Sequence, residues 1–335
     1  SSSVAEDEAL GALLDQFSQE TGANASFNPQ PEYDAALQAA LAAGDPPDVF
    51  YVDSNKLPDL VDAQALAPVP SGAVSDPDDI YPSLQAAFTY EDTWYCPPKD
   101  FSTLALIYDV DAFAEAGVEV PTTWDEFAAA AEALTTDERF GLVSAVEYPR
   151  WGVFLFQNGA GLTDDAVTEM TIYTPESKES LEFISGLYLN GYAATPAAVD
   201  AGWNGEAFGL GKGAMTISGN WIAGFLTESF PDRNFAVAEL PVGPEGKGTF
   251  AFTVCYGVAA SARNPEASWA LVDWLTNAEG SLAWTESFNV MPARQSVGDE
   301  WIASHDELAA FVAGADYATK FQFVPGFGDV LGLSL

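Results

Sequence analysis

The sequence predicts an α/β protein of two lobes. Short apolar strands alternate with amphipathic helices along the whole chain. The 335 residues, 48% of them hydrophobic, exceed one ordinary core. No fixed repeat period and no low-complexity linker splits the chain into independent halves, so it is expected to cross between lobes more than once.

The first segment, "AEDEALGALLDQFSQETG", places Leu10, Leu13, Leu14 and Phe17 on one helical face and stops at Gly22, which suits a left-handed cap. "EYDAALQAALAAG" repeats the pattern with Tyr33, Leu37, Ala40 and Leu41 before Gly44, and "DPPDVFYVD" then gives a turn and a buried strand from Val49 to Val52. "STLALIYD" reads as one buried strand, "PTTWDEFAAAAEALTT" as a helix whose Thr123 and Glu126 have capping-box spacing, and "GLVSAV" as a strand. "TPESKESLEFISGLYLNG" is a helix with Pro175 in its first turn and Gly191 past its end, followed by strands at Ala214 to Ser218 and "FAVAEL". "FTVCYGVAASARNPEASWALVDWLTNAEG" makes a long strand, then a helix capped by Asn264 with Pro265 first, burying Leu271, Trp274 and Leu275. Such alternation implies parallel or mixed sheets flanked by helices.

Asp and Glu number 50 against 11 Lys and Arg, a formal net charge of −39 spread along the chain. This field repels phosphate backbones and anionic headgroups, and no basic stripe offsets it, so nucleic-acid binding is excluded. The 22 Phe, 12 Tyr and 9 Trp separate the chain from disordered acidic sequences. Its self-repulsion weakens in molar salt, where the screening length is about 3 Å, which points to a halophilic source. With only Cys96 and Cys255, a disulfide scaffold and a four-cysteine zinc site are both absent; one disulfide and two free thiols stay open, with free thiols favoured. No apolar run approaches the roughly 20 residues of a membrane span, and no charged-then-apolar signal region opens the chain.

Catalytic patterns are weak. His305 is the only histidine, no G-x-S-x-G elbow exists, and Cys96 sits in "WYCPPKD" without a following helix. A glycosidase-type carboxylate pair stays open among 50 acids, nearly all of which read as solvated surface. "GLGKG" fails the P-loop spacing, making Lys212 a turn residue, and "DPDD" at 76–79 lacks EF-hand spacing, so neither a cofactor nor a metal site is predicted. What stands out is aromatic residues at strand ends and in loops: Trp94, Tyr95, Tyr148, Trp151, Trp203 and Trp221. Arg150 beside Trp151, Asn204 beside Trp203 and Asn220 beside Trp221 each couple a flat apolar face to hydrogen-bond donors. That pairing suits sugars, and ligands of open α/β sheets bind beyond the carboxyl ends of strands.

Five segments, "ALAAGDPPDVFYVD", "PPKDFSTLALIYDVDAFAEAGVEVPTTWDEF", "FGLGKGAMTISGNW", "VAASARNPEASWALVDWLTNAEG" and "MPARQS", resemble in order and spacing the extracellular solute-binding proteins of sugar ABC transporters, the family that includes maltose-binding protein. The resemblance spans almost the whole chain. It implies a periplasmic-binding-protein-like (type II) fold, with lobe 1 from 1–107 and 253–310 and lobe 2 from 108–252 and 311–335, hinges near Leu106 to Asp109 and Phe250 to Thr253, and a ligand cleft between the lobes. It implies a non-catalytic, cofactor-free monomer that binds a neutral sugar or small oligosaccharide outside the cell and delivers it to membrane permease subunits. The secretion signal and lipid anchor of such proteins, a strand before the first helix, and helices after the segment like "FQFVPGFGDV" are not in these 335 residues, which are expected to be a subset of the mature protein.

By the same likeness Trp221 stacks on a sugar ring, its alternative role being packing between lobes. Tyr148, Arg150 and Trp151 match a second-lobe loop that reaches ligand, while Asp53 and the Lys99 to Asp100 turn match first-lobe loops that bind hydroxyls. Tyr256, and Trp203 with Asn204, fall where family members vary in which residues touch ligand; "MPARQS" reads as structural. Two rival readings are an anionic ligand held by Arg150 and Lys99, and a glycan-cleaving enzyme using two cleft carboxylates.

Overall fold

The computed structural model describes residues 4–30, 33–164, 169–288 and 290–320, so the segment "FQFVPGFGDV" lies outside the described residues. The alternating apolar run at Val49–Asp53 forms a strand in which Phe50 and Val52 are buried on one face and Tyr51 turns to the other. It pairs antiparallel with the long strand Thr249–Val258, setting Tyr51 opposite Tyr256 and Asp53 opposite Val254. Strands Pro98–Thr103 and Ala318–Lys320 also join the long strand. Phe50, Val52, Leu57, Phe88 and Cys255 pack one side of this sheet. On the other, Tyr256 and Val258 meet Leu10, Leu13 and Leu14 of helix Val4–Thr21 and Trp269, Val272 and Trp284 of helices Pro265–Thr276 and Ala278–Phe288. Gly22 ends the first helix with φ 72°, as its sequence predicts.

Most of these elements belong to one compact unit, built from residues up to Phe101, from Phe252–Ser304 and from Lys320, with strands Pro98–Thr103, Thr249–Val258 and Ala318–Lys320 running on into the other. Ser102–Ala251 and His305–Thr319 form the second. Its five-stranded sheet runs in the order Ala193–Ala194, Phe140–Val143, Gly213–Ser218, Ala105–Asp109, Phe235–Ala238. The first three are parallel, and Ala105–Asp109 is antiparallel to both of its neighbours. Leu106, Ile107, Leu142, Met215 and Ile217 are fully buried, because helices cover the sheet. Gly141 permits one such approach: a Cβ there would lie 1.9 Å from the carbonyl oxygen of Ala131 in helix Trp124–Leu134. Both units are sheets flanked by helices, the second of them mixed, which is the α/β architecture expected.

The structure departs from expectation at several points. The single strand expected over "STLALIYD" is two, divided at Leu104, which exchanges hydrogen bonds with the Thr249 hydroxyl. The first crossing accordingly falls between Phe101 and Ser102 instead of near Leu106 to Asp109, since Ala105–Asp109 is paired on both sides inside the second sheet. The second crossing is between Ala251 and Phe252, and the chain returns to the second unit at His305 instead of 311. Thr123 caps its helix by accepting from Glu126 N–H, but the Glu126 carboxylate turns back to Thr122, leaving half a capping box. Helix Pro265–Thr276 buries Trp269, Val272 and Leu275, while Leu271 and Trp274 are only partly covered. The favoured free thiols are wrong: Cys96 and Cys255 form a disulfide with Cα atoms 5.8 Å apart. Pairing of Pro98–Thr103 with Thr249–Val258 brings together residues 159 apart in sequence, a proximity that no local pattern reveals.

Candidate ligand-binding site

In the second unit the parallel strands Phe140–Val143 and Gly213–Ser218 end at one edge of the sheet, and a helix starts just beyond each. Tyr148, Arg150 and Trp151 occupy the first turn of helix Tyr148–Gln157, and Trp221 opens helix Trp221–Ser229. Trp203 precedes helix Asn204–Gly209, whose Asn204 amide donates to Thr216 Oγ1 and Ile217 O, both at 3.1 Å, pinning that helix start to the end of the strand. Three tryptophans thus gather at the carboxyl edge where α/β sheets hold ligands. Trp221 is the most open, 43% exposed, with its ring lying against Gly219, where a Cβ would come within 2.2 Å of it. Trp203 is half-buried, edge-on to Phe225 at 4.8 Å.

Trp151 is half-buried and meets Tyr148 edge-on at 5.1 Å; Tyr148 meets Phe250 in the same way at 5.1 Å. Tyr148 is itself buried, which pushes its phenol above the ordinary range, so it stands behind Trp151 as support. Arg150 pairs with Glu147 at 3.3 Å, and burial pulls its guanidinium below the usual value against the opposing pull of that carboxylate. Asn204, being buried and doubly bonded, is a structural residue.

In the first unit Asp53 ends its strand, open to solvent although protein crowds it from other sides. That crowding raises its carboxyl, Asp34 adds to the rise, and Lys99 and Lys56 oppose it. Lys99 and Asp100 are buried together. The Lys99 ammonium donates to Asp100 and, at 3.4 Å, to Glu6, and lies over the rings of Trp284 at 4.5 Å and Tyr51 at 4.9 Å. Asp100 also accepts from Trp284 Nε1 at 2.9 Å. Tyr256 is buried with its ring 5.5 Å from that of Tyr51, and burial followed by Asp100 holds its phenol well above the ordinary range.

Asp53, Lys99, Asp100 and Tyr256 are therefore neighbours in one unit, and Tyr148, Arg150, Trp151, Trp203 and Trp221 share an edge of the other. Sequence reasoning missed Glu6, Tyr51, Glu147 and Trp284. Glu6 carried a usable signal: it lies one turn before Leu10 on the apolar face of its helix, and a carboxylate there must find a cation. Trp284 carried none, since a tryptophan on a helix reads as core.

Both carboxylates beside Lys99 are committed to its ammonium, and the disulfide removes both cysteines from thiol chemistry. Among the described residues no group of three or more His, Cys, Asp or Glu is placed to hold a metal ion, and no helix is long and apolar enough to cross a membrane. In "DPDD", Asp79 and the Asp76 carbonyl are taken up by Arg294, so "MPARQS" is structural as expected.

The sequence profile of the bacterial extracellular solute-binding protein family matches residues 12–310. The maltotriose-binding protein of Pyrococcus abyssi is 24% identical over 318 residues, covering 91% of this chain and 68% of that protein. The GacH receptor of Streptomyces glaucescens, solved unliganded and with acarbose, superposes with a TM-score of 0.80 at 25% identity, over 99% of this chain and 88% of the receptor. The sugar-binding protein MalE of Xanthomonas citri superposes with a TM-score of 0.85 at 21% identity, over 97% of this chain and 87% of MalE.

Proposed function

The chain belongs to the bacterial extracellular solute-binding proteins, and we propose that its ligand is a neutral sugar or short oligosaccharide, bound without turnover and passed to the permease of an ABC importer. The observation that carries this reading is the row of tryptophans at the carboxyl edge of the second-unit sheet, with Trp221 the most exposed. Flat rings offer C–H stacking faces to a sugar ring. The relatives that bind maltotriose and acarbose support the same class.

An anionic ligand fits poorly. Lys99 is already neutralised by Glu6 and Asp100, Arg150 by Glu147, and Asp53 adds a further negative charge. Glu6 and Asp100 are poor candidates for a glycan-cleaving acid and base, because both face the Lys99 ammonium. We propose in addition that the protein acts outside the cell as a monomer held at the cell surface by a lipid anchor.

A thermal-shift screen of glucose, maltose, maltotriose, acarbose and glucuronate, followed by calorimetry, tests the reading, since a ligand that binds only the folded state raises the melting point by mass action. A neutral saccharide is expected to stabilise the protein, and Trp221→Ala to weaken its binding by about 1–3 kcal/mol. Stabilisation by glucuronate alone, or unchanged affinity in the Trp221 variant, refutes the ligand class or the site respectively.

A further inference from the structure

A second concavity lies in the first unit, in the segment 69–94, away from Asp53 and the Lys99 group. It encloses about 240 Å³ and is lined by, among others, Val69, Pro70, Pro77, Asp78, Gln85 and Trp94. That volume falls just short of the roughly 300–1,000 Å³ of a drug-sized ligand's site. One sugar-sized ring fits it.

The walls are held from outside. Val69 N–H donates to Trp94 O at 2.9 Å, joining the loop to the hairpin Thr89–Tyr90 and Thr93–Trp94. Ser75 bonds twice to Asp273, at 2.6 and 3.0 Å. Arg294, fully buried, donates to Ser75 O at 2.7 Å and Asp76 O at 3.0 Å. A loop tied to its neighbouring hairpin at Trp94 and to the sequence-distant Asp273 and Arg294 is ordered by protein contacts, which lowers the ordering cost of binding a ligand.

Its polar groups are unspent. Trp94 Nε1–H is closed to solvent and has no acceptor among the described residues. Asp78 is exposed and Gln85 half-buried beside it, and among the described residues Asp78 shows only its backbone carbonyl in a hydrogen bond. The lining thus combines a tryptophan and two prolines with a carboxylate and an amide. Asp76 and Asp79 flank Asp78 and disfavour an anion.

We propose that this pocket is a second binding site, for a single neutral polyhydroxylated ring of monosaccharide or cyclic-polyol type, with Trp94 as its platform and Asp78 and Gln85 as its hydroxyl partners. The proposal is independent of the site at Trp221.

The test uses the full chain labelled with 5-fluorotryptophan, the Trp94 signal being assigned by its loss in Trp94→Phe. Glucose and myo-inositol are titrated and the ¹⁹F shift is followed. A saturable shift of the Trp94 signal is expected, weakened about fivefold by Gln85→Ala or Asp78→Asn, the factor for one hydrogen bond worth about 1 kcal/mol. It is expected to persist in Trp221→Ala, which separates it from the proposed receptor site. A shift that grows linearly without saturating, or one indifferent to both Gln85→Ala and Asp78→Asn, overturns the proposal even if the receptor binds sugar.

Discussion

Replacing both Cys96 and Cys255 with alanine tests how the two units share stability. The cysteines are fully buried, so alanine leaves no unsatisfied polar group behind. They are 159 residues apart, and a cross-link closing a loop of that length is worth about 5 kcal/mol in chain entropy when everything inside the loop unfolds. Nearly all of the second unit, Ser102–Ala251, lies inside that loop. While this unit stays folded, Leu104 and Thr249 remain hydrogen-bonded at 3.1 Å and hold the two chain ends together. The effective loop then shrinks to about 15 residues and the contribution to about 3 kcal/mol.

Urea unfolding of the wild type and the double variant, followed by near-ultraviolet circular dichroism, distinguishes the cases. A loss near 3 kcal/mol means that the first unit melts around a folded second unit; a loss near 5 means that they unfold together. A linked peptide pair containing Cys96 and Cys255 in a non-reducing digest checks the bond directly. A loss under about 1 kcal/mol, or absence of the linked pair, refutes the reasoning.

Lys99→Met strips the cation from Glu6 and Asp100, leaving two buried carboxylates side by side, and is expected to cost about 3–5 kcal/mol in denaturant unfolding; a neutral outcome would mean that the ion cluster is not formed. Folding raises the Asp53 pKa, so the charged carboxylate carries a penalty that is complete above the raised value and disappears as pH falls to about 4, the ordinary range. Ligand-free Asp53→Asn should therefore gain stability at about pH 7 and match the wild type at about pH 4; equal stability at both pH values contradicts the shift. With a net charge of −39, the melting temperature is expected to climb as potassium chloride rises to molar levels, where the screening length is about 3 Å. A flat profile removes the halophilic interpretation.

Much of the candidate site was legible because its signals are local. Trp221, Trp151 and Trp203 each follow or precede a readable strand, and the neighbouring arginine or asparagine marks a polar border. Their neighbours behaved differently. Asn204 looked like a ligand donor but spends its amide on Thr216 and Ile217, and Lys99 looked like an available cation but is closed in by Glu6. Both outcomes depend on partners 12 to 93 residues away, beyond the reach of any periodicity.

Element type and order were set by the chain itself: where most helices begin and end, that sheets are flanked by helices, and that the chain is acidic. These follow from hydrophobic period, capping residues and glycine conformations, each of which acts within a few residues. Tertiary structure alone decided the Cys96 to Cys255 bond, the crossing at Phe101, and which charged groups are spent internally. Such features depend on which distant strands share an edge, and strand pairing is won by burial and backbone hydrogen bonding over the whole sheet.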